Sequence, residues 1–220
     1  MFKKHKKRKQ EADQFRATVT SLMMGIHKFD EYLEKVCDEE SYTYNHIACI
    51  SRSTEDLFAM CNIYSMNYFF HAYNMVNMNN YMELMMKVFR DLEPTARSFD
   101  KSLKLYKEAQ SVFRKLKEAC DTDDYLDELT DAAEKLTEVK VHLKNLSMNI
   151  RIDLLTMRSV LLLIRHIVSR DYMKILAGVD LVEAYELEEK RIKREMSMLI
   201  RYPKKLDKKL LLAKESDDDE

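Results

Sequence analysis

Two glycines and two prolines in 220 residues rule out most architectures. Average usage is near 7% for glycine and 5% for proline. Sheet proteins need turn residues every few positions, and parallel α/β folds need glycine in their phosphate and crossover loops. Gly25, Gly178, Pro94 and Pro203 supply very few tight turns. Leu, Lys, Glu and Met, all good helix formers, are abundant, and 34% of residues are charged. The chain is therefore expected to be all-α: an elongated antiparallel bundle of three to five long helices with coiled-coil-like packing.

Hydrophobic spacing places the helices. Phe15, Val19, Leu22, Ile26, Phe29, Leu33 and Val36 alternate fours and threes, a seam that keeps one face toward a partner. That predicts a helix over 11–38, preceded by a basic disordered tail at 1–10. From Ile47 the same rhythm runs through Leu57, Cys61, Tyr64, Met75, Met82 and Leu92, and continues past Pro94 to Phe99, Leu103, Tyr106 and Phe113. The preserved phase predicts one helix over 43–119, kinked or broken at Pro94, roughly 115 Å long at 1.5 Å per residue. A third helix is expected over 122–177, opened by the acids and caps of "CDTDDYLDELTD". Its seam from Leu129 to Val168 contains two successive fours around Ile150, a stutter that locally unwinds a supercoil. Gly178 followed by Asp180 and Glu183 reads as a stop and a new helix start. A basic helix over 180–201 follows, ended by Pro203. The reading is one domain over 11–202 and a basic, then acidic tail at 203–220.

Between Asp56 and Glu83 the chain carries no formal charge. Six asparagines, Ser65 and His71 interrupt this window, so it does not read as a membrane span. Cys61, Tyr64, Tyr68, His71 and Met75 form one row; Ile63, Met66, Phe70 and Tyr73 form another on the opposite side. A helix apolar on two sides must be sandwiched. The second row, Ile63, Met66, Phe70 and Tyr73, is assigned to a partner helix.

Motifs for chemistry are missing. There is no GxSxG and no glycine-rich phosphate loop. None of the histidines has a Glu three residues before it, as a di-iron bundle site requires. Met75, Met78, Met82 and Met85 read as core filler. Cys37, Cys49, Cys61 and Cys120 form no CxxC pair and read as reduced thiols of a cytosolic protein. No catalytic, cofactor or metal residues are assigned, no cofactor and no small-molecule substrate are expected, and the chain is read as a non-enzyme.

Charge is the strongest functional signal. Net charge is −1, but residues 3–9 hold six Lys or Arg and no acid, whereas 118–138 hold nine acids against Lys135. Phe2, Lys3, Lys4, Lys6, Lys7, Arg8 and Lys9, with Lys204, Lys205, Lys208 and Lys209, are the candidate anionic-surface residues. In outline, three long helices with a basic N-terminus, the chain resembles BAR-type, ESCRT-III and phage-shock-type membrane-remodelling proteins in shape alone. None of their motifs is present, and no family is assigned. The leading expectation is a cytoplasmic scaffold or assembly protein, peripheral at a membrane, that self-associates as a homo-oligomer and contacts an anionic surface through its basic ends. Second stands a nucleic-acid-associated accessory protein using the same segments. Third stands a helical-bundle enzyme or cofactor carrier with a pocket around Cys61, Tyr64, Tyr68 and His71.

Overall fold

A computed structural model describes residues 2–40, 42–66, 75–119 and 126–198. These form α1 (Phe2–Asp38), α2 (Tyr44–Met66), α3 (Met75–Ala119), α4 (Leu126–Leu176) and α5 (181–198), with no strand among the described residues. The fold is an all-α bundle. It divides into a larger unit, Phe15–Tyr172, and a smaller one that joins Met1–Gln14 to Met173–Glu220.

The larger unit is an up-down-up-down bundle, and its long-range contacts set the directions. Phe15 in α1 stacks on Tyr64 in α2 at a centroid distance of 6.0 Å, while Tyr32 OH donates to the His46 carbonyl at 3.4 Å. These two contacts make α1 and α2 antiparallel. Arg158 of α4 reaches Asp30 at 2.8 Å and Glu34 at 3.3 Å, and Arg151 reaches Glu40 at 3.8 Å, so α4 runs opposite to α1. All seven residues of the α1 seam are buried, and they pack with Ile47, Ile50, Met82, Leu92, Ile150 and Leu154 in one core.

The expected single helix over 43–119 is corrected here. The Tyr44 backbone N–H donates to Asp100 Oδ2 at 3.1 Å, and Arg97 Nη2 donates to Tyr44 OH at 3.4 Å. In one continuous helix Tyr44 and Asp100 would lie roughly 84 Å apart at 1.5 Å per residue. Instead α2 and α3 pack against each other with opposite chain direction. The unbroken rhythm misleads for a physical reason. Each arm of a hairpin presents its own apolar seam to the same core, and two seams can share a phase without sharing a helix. Pro94 does lie inside a helix, in α3. Its side chain faces solvent, where water can bond the Arg90 carbonyl that loses its N–H donor.

Past Asp100 the larger unit changes character. The α1–α2 turn sits at the level of Asp100 and Arg151, so beyond it α3 and α4 run past the ends of α1 and α2 that meet there. Leu103, Tyr106, Phe113 and Leu116 on α3, and Leu129, Leu136, Val139 and Leu143 on α4, are half-buried rather than sealed. From Asp100 to Ala119, α3 extends about 28 Å at 1.5 Å per residue. On α4, full burial begins at Ile150 and continues through Leu154, Met157, Leu161 and Ile164. The stutter at Ile150 therefore marks the place where a half-buried seam becomes a bundle core.

The smaller unit is built on caps and ion pairs. Gly178 ends α4 with φ +68°, a conformation that costs glycine no Cβ clash. Val179 N–H then bonds the Lys174 carbonyl at 3.1 Å. Asp180 Oδ1 accepts from the Val182 and Glu183 N–H groups at 2.9 and 3.2 Å, capping α5. Leu181, Val182 and Tyr185 are buried with Ala12. Arg8 pairs with Glu186 and, at 4.0 Å, with Glu189. The expected disordered tail at 1–10 is thus corrected: the backbone is helical from Phe2. Carboxylates of α5 neutralise one cation of the run and offset its self-repulsion.

Candidate functional site

The basic run lies on the first turns of α1. Lys6, Lys7 and Lys9 are exposed, Lys7 within 3.7 Å of Glu11, whereas Arg8 is turned toward Glu186 and Glu189. Helical winding therefore turns Arg8 away from the exposed Lys6, Lys7 and Lys9, a distinction that sequence proximity does not make. Phe2, Lys3 and Lys4 belong to the α1 backbone, and their side chains lie outside the described residues. Lys204, Lys205, Lys208 and Lys209 also lie outside them. Toward the C-terminus, α5 is less basic than its composition suggests. Arg191 holds Glu188 at 2.6 Å and Glu195 at 3.1 Å, and Lys193 holds Glu189 at 2.6 Å.

On α2 the two rows have separate fates. Cys61 and Tyr64 are buried, and Ile63 and Met66 stand 50% and 77% exposed. Phe70 and Tyr73, which complete the partner-facing row, fall outside the described residues, as do Tyr68 and His71 of the suggested pocket. What is described of that pocket is core. Burial pushes the Cys61 thiol up to about 12. Tyr64 donates to Asp171 Oδ2 at 2.7 Å, and both residues are buried, so no solvent path reaches the pair. Met78, Met82 and Met85 are likewise sealed.

A groove of about 290 Å³ separates α2 from α3, bordered by Tyr44, Ser51, Arg52, Glu55, Phe89 and Glu93. Arg97 lies over the Tyr44 ring at 5.2 Å and donates to Glu93 at 2.6 Å, closing one end with a cation–π contact and an ion pair. No group of three His, Cys, Asp or Glu residues capable of holding a metal occurs among the described residues. No helix of the described residues is long and apolar enough to cross a membrane.

An outward apolar row on α4 was missed from sequence. Val141, Met148, Ile152, Leu155 and Leu162 of α4 are 45–55% exposed and recur at 7-4-3-7 spacing. They lie on the side of α4 opposite the buried Ile150–Leu154–Met157–Leu161 seam. The signal was present as a second heptad row interleaved with the first, but Asn145 and Ser159 break it, and the inward seam is stronger. Comparison of the chain with protein-family models, with curated proteins and with solved structures finds no match in any of the three.

Proposed function

We propose that the protein is a non-enzymatic helical scaffold that self-associates and contacts an anionic membrane surface through its basic ends. The observation that carries this reading is the set of outward cations on the first turns of α1, and exposed apolar side chains on α2 support the self-association. Ile63 and Met66 leave apolar surface on α2, and Lys6, Lys7 and Lys9 present charge from α1. Apolar helix faces of this kind are costly in water and are covered by partners. Ammonium groups near an anionic leaflet gain about 1 kcal/mol each.

Co-sedimentation with phosphatidylserine-containing vesicles tests the surface contact. Replacing Lys6, Lys7 and Lys9 together by glutamine should weaken vesicle binding on the order of 100-fold, about 3 kcal/mol. Binding that is unchanged by the triple substitution rejects the membrane role. Equally tight, salt-sensitive binding to duplex DNA or RNA without lipid would favour a nucleic-acid partner instead.

A further inference from the structure

Arg8 faces a different way from the exposed lysines beside it, and that direction is occupied by α5. At about 100° per residue, Lys7 and Lys9 flank Arg8, and Lys6 lies on the far side of α1. Ala12 stands one turn beyond Arg8 on the same side and is buried, as are Leu181, Val182 and Tyr185 of α5. Arg8 meets the carboxylates of Glu186 and Glu189, which share one side of α5. Its side chain is 22% exposed, and theirs are 37% and 40% exposed. An ion pair this open to water adds little net stability, so a competing anion can take its place. Glu189 also holds Lys193 at 2.6 Å. If Arg8 leaves, Glu189 keeps a cation and Glu186 turns to water, so no buried charge is stranded.

We infer that α5 is an autoinhibitory clasp on the basic first turns of α1, opened when an anionic membrane surface takes Arg8 from Glu186 and Glu189. This rests on the membrane contact proposed above and specifies its regulation. With the clasp closed, Lys6, Lys7 and Lys9 are presented and Arg8 is withheld. The two carboxylates of α5 also stand close to these cations, where they repel anionic lipid. Lipid phosphates compete for the same group, because a guanidinium takes phosphate and carboxylate oxygens in the same two-pronged geometry. A helix that meets a surface with its end presents cations in all directions around its axis, so a released Arg8 adds to the lysines. The clasp thereby sets a threshold. A sparsely charged surface engages three lysines, and a densely charged one gains Arg8 as well.

Co-sedimentation of the full chain with phosphatidylserine-containing vesicles tests the clasp. Glu186→Gln with Glu189→Gln should raise vesicle affinity about fivefold, the gain expected of one added cation. In an Arg8→Gln background the same two substitutions should give no gain. Glu134→Gln with Glu138→Gln removes equal charge from exposed positions of the larger unit and should raise affinity by no more than about twofold. A rise that survives Arg8→Gln, or that the Glu134 and Glu138 control matches, is a bulk charge effect and overturns the clasp. Amide exchange of the wild-type chain gives a second measurement that needs no substitution. Exchange over residues 181–192 should speed when phosphatidylserine vesicles are added, and unchanged or slower exchange overturns the clasp. Affinity unmoved by the Glu186 and Glu189 changes but lost with Lys6, Lys7 and Lys9 overturns the clasp and leaves the membrane reading standing. Absence of vesicle binding in both the wild type and the Glu186 and Glu189 variant overturns both.

Discussion

The hydroxyl of Tyr64 donates a 2.7 Å hydrogen bond to the carboxylate of Asp171, a residue 107 positions away and only 2% exposed. This bond ties α2 to α4, while the same Tyr64 ring stacks on Phe15 of α1. Three helices of the larger unit therefore meet at one side chain. Tyr64→Phe keeps the ring and removes one donor to a buried carboxylate. It should cost about 1–3 kcal/mol in urea denaturation. Asp171→Asn, which keeps an acceptor for the phenol, should cost less in the same titration.

The two glycines predict opposite responses to alanine. Gly25 lies within α1, where an added Cβ would meet Met60 Sδ at 3.4 Å and Cε at 3.6 Å, ordinary contact distances to a flexible side chain. Gly25→Ala should stabilise the protein by about 0.5–1 kcal/mol through helix propensity. At Gly178, with φ +68°, the same change should destabilise by about 1 kcal/mol although its Cβ would meet nothing within 4 Å. Thermal melts of the two variants should bracket the wild type.

Thiol chemistry should separate the cysteines. Cys49 is exposed, whereas Cys37 and Cys61 are buried. Burial raises Cys37 as well, with the nearby Arg158 and Arg151 opposing it. Iodoacetamide followed by peptide mapping should label Cys49 in the native state well before Cys37 or Cys61. For Cys61 the sign is clear: its thiol ionises near 9 when unfolded and at about 12 when folded. Its contribution is intact below pH 9 and lost as pH rises toward 12, at up to about 1.4 kcal/mol per pH unit. Cys61→Ala should lower stability at neutral pH and flatten this alkaline decline.

Asp153 gives the reverse lever at acid pH. Burial, and secondarily the charge of Asp91, raises its carboxyl above the ordinary value of 3.8. An acid whose folded pKa is raised weakens the fold when ionised, and the penalty fades as pH falls through that folded value. Asp153→Asn should therefore raise the melting temperature at pH 7 and change it little near pH 3. Parallel melts of wild type and variant at the two pH values provide the check.

What the sequence makes legible follows from how locally each feature is determined. The α1 seam from Phe15 to Val36 is readable because a 3.5-residue period is a property of one helix alone. Gly178 and Asp180 are readable because stop and cap act within a few residues of themselves. The reversal that brings Tyr44 to Asp100 is not, since neither glycine nor proline occurs between Met66 and Met75 and the apolar phase runs on. Nor is the helical start at Phe2, because the carboxylate that answers Arg8 belongs to Glu186, 178 residues later. The exposed α4 row was hidden by the stronger inward seam of the same helix. Composition counts the cations but not their directions: helical rotation turns Arg8 to Glu186 and Glu189 and leaves Lys6, Lys7 and Lys9 exposed.

The change of packing at Ile150 has a dynamic corollary. On the C-terminal side of it α4 carries a run of sealed side chains, whereas on the N-terminal side its seam residues are only half-buried. Amide protons on the half-buried side of that joint should trade with deuterium first, and those of the sealed stretch beyond it last.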